Sequence, residues 1–128
     1  MALASAACQH RTVRRILIVD DHAGFRATAR KLLAARGFDV VGEAADGEQA
    51  LEAAARLRPD VILLDVQLPG ISGFEVAAQL TSNGSNPDIV LTSSRDAAEF
   101  GGLVERSGAR GFIPKAQLSG WRLAALLE

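Results

Sequence analysis

Three short apolar runs constrain the fold more than any other feature: Ile16-Leu-Ile-Val19, Val61-Ile-Leu-Leu64 and Ile89-Val-Leu-Thr92, followed by Asp20-Asp21, Asp65 and Ser93. A strand with one wet face alternates apolar and polar residues. These runs do not alternate, so they suit strands buried on both faces, as in a parallel sheet covered by helices on each side. Phe38-Asp-Val-Val41 and Gly111-Phe-Ile-Pro114 are more mixed and read as edge strands. Pro114 agrees with an edge, since it has no N–H to donate to a central ladder.

Helical periodicity fills the intervals, over 23–36 (Phe25, Ala29, Leu32 and Leu33 on one face), 47–57, 73–81, 95–106 and 118–127. Asp46 with Gln49 and Ser72 with Glu75 have the spacing of a capping box or a close variant. Gly37 and Gly108 stand where a left-handed C-terminal cap is wanted. Five strands alternating with five helices through short, right-handed connections specify a doubly wound α/β fold with one parallel sheet. With 128 residues, the chain is the size of one such domain. The pattern begins at Arg14, so residues 1–13 read as a disordered tail and 14–128 as the domain.

Composition removes several function classes. Fourteen Lys and Arg against fifteen Asp and Glu leave a net charge of −1, without the basic excess that direct nucleic-acid binding asks for. The single cysteine, Cys8, excludes an intrachain disulfide framework and suits a reducing compartment such as the cytoplasm. The Ala-rich opening has no basic residue ahead of its apolar stretch, unlike a secretory signal, and no run is long enough to span a bilayer.

In a parallel sheet ordered 2-1-3-4-5, the loops beyond the carboxyl ends of the strands meet on one edge, and a crevice opens between the first and third strands. Asp20, Asp21 and Asp65 all fall there. Three carboxylates so close repel unless a hard cation shares them, and Mg²⁺ takes one or two carboxylates while leaving positions for water and phosphate oxygens. Ser93 and Lys115 arrive at the same edge, bringing a hydroxyl and an ammonium. With the metal they can balance the oxygens of a phosphoryl group in transfer. Asp65 then has the chemistry of a nucleophile that forms an acyl phosphate.

The motifs Ile16-Leu-Ile-Val-Asp-Asp21, Leu63-Leu-Asp-Val-Gln-Leu-Pro-Gly70, Leu91-Thr-Ser-Ser94 and Gly108-Ala-Arg-Gly-Phe-Ile-Pro-Lys115 resemble the signatures of bacterial two-component response-regulator receiver domains. The resemblance covers residues 14–128 and implies a flavodoxin-like three-layer sandwich. It implies Asp65 as phosphoacceptor, Asp20, Asp21, Asp65 and the Gln67 backbone carbonyl as Mg²⁺ ligands, and Lys115 as the phosphoryl partner. Ser93 and Phe112 match the family's switch pair, which reshapes the face of the fourth helix, fifth strand and fifth helix. Gln67 and Arg95 match positions that tune hydrolysis of the aspartyl phosphate. The implied partners are a histidine kinase or phosphotransfer protein, a downstream protein and, on phosphorylation, a second copy. Catalysis is limited to the chain's own phosphorylation and dephosphorylation. With no output domain after Glu128, the expectation is a single-domain regulator, against a scaffold that is never phosphorylated or a receiver cut from a larger transcriptional regulator.

Two other classes fit the residues less well. A flavodoxin-type cofactor binder needs a phosphate-cradling Ser/Thr/Gly loop after the first strand, where this chain has Asp20-Asp21-His22. A haloacid-dehalogenase-type hydrolase carries a second acid two residues beyond its nucleophile, and Asp65-Val-Gln67 lacks it. Three features depart from pattern or stand outside the pocket. Ala116 follows the pocket lysine where many receivers have a proline after a cis bond, which leaves that loop's geometry open. Gly101-Gly102 interrupts the fourth helix at about 1 kcal/mol per glycine, so that helix is expected to be weak. Trp121, the only tryptophan, is either core or an exposed anchor.

Overall fold

The computed structural model describes residues 13–82 and 87–128, so the expected tail, Cys8 included, lies outside the described residues except for Val13. The elements run β1 (Arg15–Val19), α1 (Ala23–Ala35), β2 (Asp39–Ala44), α2 (Gly47–Leu57), β3 (Val61–Asp65), α3 (Gly73–Ser82) and β4 (Asp88–Ser93). A 3-10 turn (Ala97–Phe100), α4 (Leu103–Arg106), β5 (Gly111–Pro114), a second 3-10 turn (Lys115–Gln117) and α5 (Gly120–Leu127) complete it. All strands pair in parallel in the order β2-β1-β3-β4-β5, the doubly wound fold expected.

Strand alternation sorts the apolar runs onto two faces. Ile16, Ile18, Leu63, Val90 and Ile113 pack with Ala29 and Leu33 of α1 and Leu123 and Leu127 of α5. Leu17, Val19, Ile62, Leu64 and Leu91 pack with Ala50 and Ala53 of α2 and Val76, Ala77 and Leu80 of α3. Each Leu or Ile buried this fully contributes about 1.5–3 kcal/mol, so the central strands anchor the sheet edge that follows them. Helix ends close as expected: Asp46 accepts from Gln49 N at 2.8 Å and Ser72 Oγ from Glu75 N at 3.2 Å. Gly37 and Gly108 take positive φ, 97° and 83°.

Two expectations need correction, and one open question closes. The second strand extends to Ala44, past the expected Val41; its register with β1 shifts between Ile16 and Leu17, and Glu43 within it pairs with Arg26 at 2.9 Å and Arg30 at 2.8 Å on α1. The expected helix 95–106 is instead the 3-10 turn, then Gly101 at φ 58° and ψ −133°, then the four-residue α4. Asp96 and Glu99 close a capping box around that turn, and the Gly101 conformation cannot continue a helix. The Lys115–Ala116 bond is trans, with Ala116 inside the second 3-10 turn.

Trp121 lies outside the core at 70 % exposure, with the Arg36 guanidinium stacked on its ring at 3.8 Å.

Candidate functional site

Parallel register carries the candidate residues to one edge. Val19 pairs with Leu64, which brings Asp20 beside Asp65, and Asp65 in turn pairs with Thr92. Ser93 pairs with Pro114, so Ser93 and Lys115 close the same row. Residues at or just past the carboxyl ends of β1, β3, β4 and β5 therefore converge without any loop having to reach.

Asp20, Asp65 and Ser93 are buried, an expensive placement for acids unless partners meet them. Lys115 Nζ stands 2.6 Å from Asp20 Oδ2 and 3.2 Å from Asp65 Oδ2, and 4.7 Å above the Phe25 ring. Asp65 Oδ1 accepts from Gln67 N at 3.0 Å. Burial pushes the Asp65 carboxyl above its ordinary range, and the charge of Asp20 adds to the rise against the pull of Gln67 N–H and Lys115. Burial alone would lower the Lys115 ammonium, but its contact with Asp20 and the charge of Asp65 outweigh it and hold it above its ordinary value.

Ligand atoms of Asp20, Asp21, His22 and Asp65 lie within 4.8 Å of one another. Three carboxylates against one ammonium leave two negative charges, the complement of a divalent cation. Asp20 Oδ2 is buried, and the Lys115 ammonium 2.6 Å away is its charged partner. Carboxylate oxygens of Asp20, Asp21 and Asp65 gathered this closely, with excess negative charge over the one ammonium, are the donor set a hard cation takes, so the residues fit Mg²⁺.

The remaining expected residues ring this centre. Ser93 Oγ donates to Gln67 Oε1 at 3.2 Å and accepts from Arg95 N at 3.1 Å. The Arg95 guanidinium turns outward to Glu99 at 3.9 Å. Phe112 is half-buried, its ring 6.1 Å from Phe100, which in turn meets Phe74 edge-on at 5.7 Å.

Three participants were not read from the sequence. His22 Nδ1 lies 3.2 Å from Asp20 Oδ1 and 3.1 Å from Asp21 Oδ1, a position its adjacency to both acids could have suggested. Arg26 donates to the Asp20 backbone carbonyl at 2.6 Å, and only the packing of α1 shows it. Gly73 starts α3 against the backbone of Asp65: a Cβ there would stand 2.8 Å from Val66 Cα and closer still to the Asp65 carbonyl oxygen.

Comparison with known proteins places the chain in a family. Residues 16–126 match the response regulator receiver domain family. The chain is 33 % identical over 115 residues to the transcriptional regulatory protein PdtaR of Mycobacterium tuberculosis, covering 83 % of this chain and 56 % of that protein. The signal receiver domain of the response regulator NarL from the same species superposes with a TM-score of 0.79 at 33 % identity, covering 89 % of this chain and 96 % of that one. The chemotaxis response regulator CheY4 of Vibrio cholerae gives a TM-score of 0.78 at 28 % identity, covering 90 % and 96 %. The chain spans about half the length of the first curated relatives it matches. By family match, by relatives and by fold, this chain belongs to the response regulator receiver domains.

Proposed function

We propose that Asp65 accepts a phosphoryl group from the phosphohistidine of a histidine kinase or phosphotransfer protein, in a Mg²⁺-dependent step that the chain itself catalyses. The observation that carries this reading is the pairing of Lys115 with both Asp20 and Asp65 inside a buried acidic cluster. A carboxylate oxygen of Asp65 attacks phosphorus, the phosphorus–nitrogen bond of the donor breaks, and the imidazole leaves with the bonding pair. Lys115 balances charge on the transferred oxygens, and the Ser93 hydroxyl, on the strand next to that of Asp65, is available to donate to another. Asp20, Asp21, Asp65 and the Gln67 carbonyl would hold Mg²⁺, which supplies electrostatic stabilisation of the phosphoryl oxygens when bound.

The signal leaves through the face of α4, β5 and α5, because Phe112 on β5 contacts Phe100 just ahead of α4. On this reading the chain works in the cytoplasm, beside the kinase's catalytic half, and hands the signal to a protein. Among the described residues no helix is long and apolar enough to cross a membrane. A second reading, the receiver part of a longer transcriptional regulator, is favoured by the names and lengths of relatives such as PdtaR.

Incubation with Mg²⁺ and acetyl phosphate tests the chemistry. Intact mass should show one added phosphate on the wild type and none on Asp65→Asn. A wild type that stays unmodified and binds no beryllofluoride would refute the acceptor role and favour a phosphorylation-independent scaffold.

A further inference from the structure

The Ser93 hydroxyl is buried and its one proton is engaged. A serine hydroxyl has one proton to give. Its oxygen already accepts the Arg95 N–H at 3.1 Å, so the proton needs an acceptor, and Gln67 Oε1 provides one at 3.2 Å. The same Gln67 donates its backbone N–H to Asp65 Oδ1 at 3.0 Å. One residue thus ties the acceptor carboxylate to the switch hydroxyl, with its backbone on one and its side chain on the other.

We propose that the Gln67 side chain is a latch on Ser93: it holds the hydroxyl's proton away from Asp65 and must release it before Ser93 can donate to a phosphoryl oxygen. Gln67 is a positioning residue here, acting through Ser93. The proposal rests on the acceptor reading of Asp65 and adds a regulatory element to it. The latch opposes the phosphorylated arrangement, because one hydroxyl cannot serve both acceptors with a single proton. Removing the amide oxygen therefore frees the proton without disturbing the backbone groups of Gln67. The exposed side chain makes this variant tolerable to the fold.

The test is a double-mutant cycle on the binding of beryllofluoride, a phosphoryl mimic, in the presence of Mg²⁺. It compares wild type, Gln67→Leu, Ser93→Ala and the double variant, with melting curves to establish that each is folded. Gln67→Leu keeps the side-chain bulk and loses the acceptor. It should tighten binding about fivefold in the wild-type background, the equilibrium weight of one ordinary hydrogen bond, and leave it unchanged when Ser93 is already alanine. A change of equal size in both backgrounds, or no change or weakening in the wild type, overturns the latch while leaving the acceptor role intact. A wild type that binds no beryllofluoride overturns the acceptor role, and the latch with it.

Discussion

Gly73→Ala adds one methyl group and should injure both stability and phosphorylation. The new Cβ would lie 2.8 Å from Val66 Cα and 3.0 Å from the Asp65 carbonyl carbon, where ordinary contact begins near 3.4 Å. The obstacle is backbone, which cannot swing aside as a side-chain tip can. Either α3 or the end of β3 must move by about 1 Å, and Asp65 sits on that end. Overpacking of this kind costs about 1–3 kcal/mol, or a fall in melting temperature on the order of 5–10 °C for a domain of this size. A displacement of about 1 Å at a reacting group can cost about a hundredfold in rate, so acetyl phosphate labelling of Asp65 should slow by one to two orders of magnitude. Gly24→Ala is the control: nothing lies within 4 Å of its Cβ, and on helix α1 the change should stabilise by about 0.5 kcal/mol. Thermal melts and the time course of labelling by intact mass measure both. A Gly73→Ala protein that melts and labels like the wild type would refute the reasoning.

Three further outcomes follow from the electrostatics. Burial raises the Asp65 carboxyl, so its ionised form costs the folded state. The cost is absent below the unfolded value, where both states are protonated, and complete above the folded one; Asp65→Asn should therefore raise the metal-free melting temperature at neutral pH and not in acid. For Glu43, burial would raise the carboxyl, but the hydrogen bonds from Arg30 and Arg26 prevail and hold it below its ordinary value. Its stabilisation is thus present above the unfolded value and lost as pH falls through the folded one. Glu43→Gln should cost about 0.5–1 kcal/mol at pH 7, a modest figure for a partly exposed pair, and nothing in acid unfolding midpoints below its titration. Finally, Mg²⁺ at about a hundred times its dissociation constant should stabilise the wild type by about 2.7 kcal/mol, and a denaturant titration should show that gain lost in Asp20→Asn.

The pocket was legible because Asp20, Asp65 and Ser93 each directly follow an apolar run, and Lys115 directly follows the edge strand β5. Once Ile16–Val19, Val61–Leu64 and Ile89–Thr92 are read as parallel neighbours, Asp20, Asp65, Ser93 and Lys115 have nowhere else to go. What escaped reading depended on partners distant in sequence. The extension of β2 to Ala44 carries Glu43 to two arginines of α1, a contact no local pattern encodes. The exposure of Trp121 follows from where α5 meets α1: a Cβ on Gly120 would clash with Arg36, so the helices approach closely there and the neighbouring indole is left outside under that guanidinium. Helix propensity treats a tryptophan near a helix start alike in either position.

The break after the 3-10 turn reverses an inference from composition. If Gly101 stood inside a continuous helix, Gly101→Ala would stabilise by about 1 kcal/mol through propensity. At φ 58° and ψ −133° the backbone lies where only glycine is at ease, so the same substitution should destabilise by about 1–3 kcal/mol. Gly102 separates the two accounts. Its φ is −85°, and its Cβ would meet only the Arg106 guanidinium, the movable end of a flexible side chain. Gly102→Ala should therefore be nearly neutral while Gly101→Ala lowers the melting temperature, a contrast that a uniformly helical 95–106 does not produce. Equal stabilisation by both would restore the continuous helix. The position bears on the proposed output face, because Phe100 ends the turn immediately before Gly101, with its ring between Phe74 and Phe112. On the proposed switch reading, a turn closed by its own capping box and ended by one glycine would let that ring follow Phe112 without unwinding a helix.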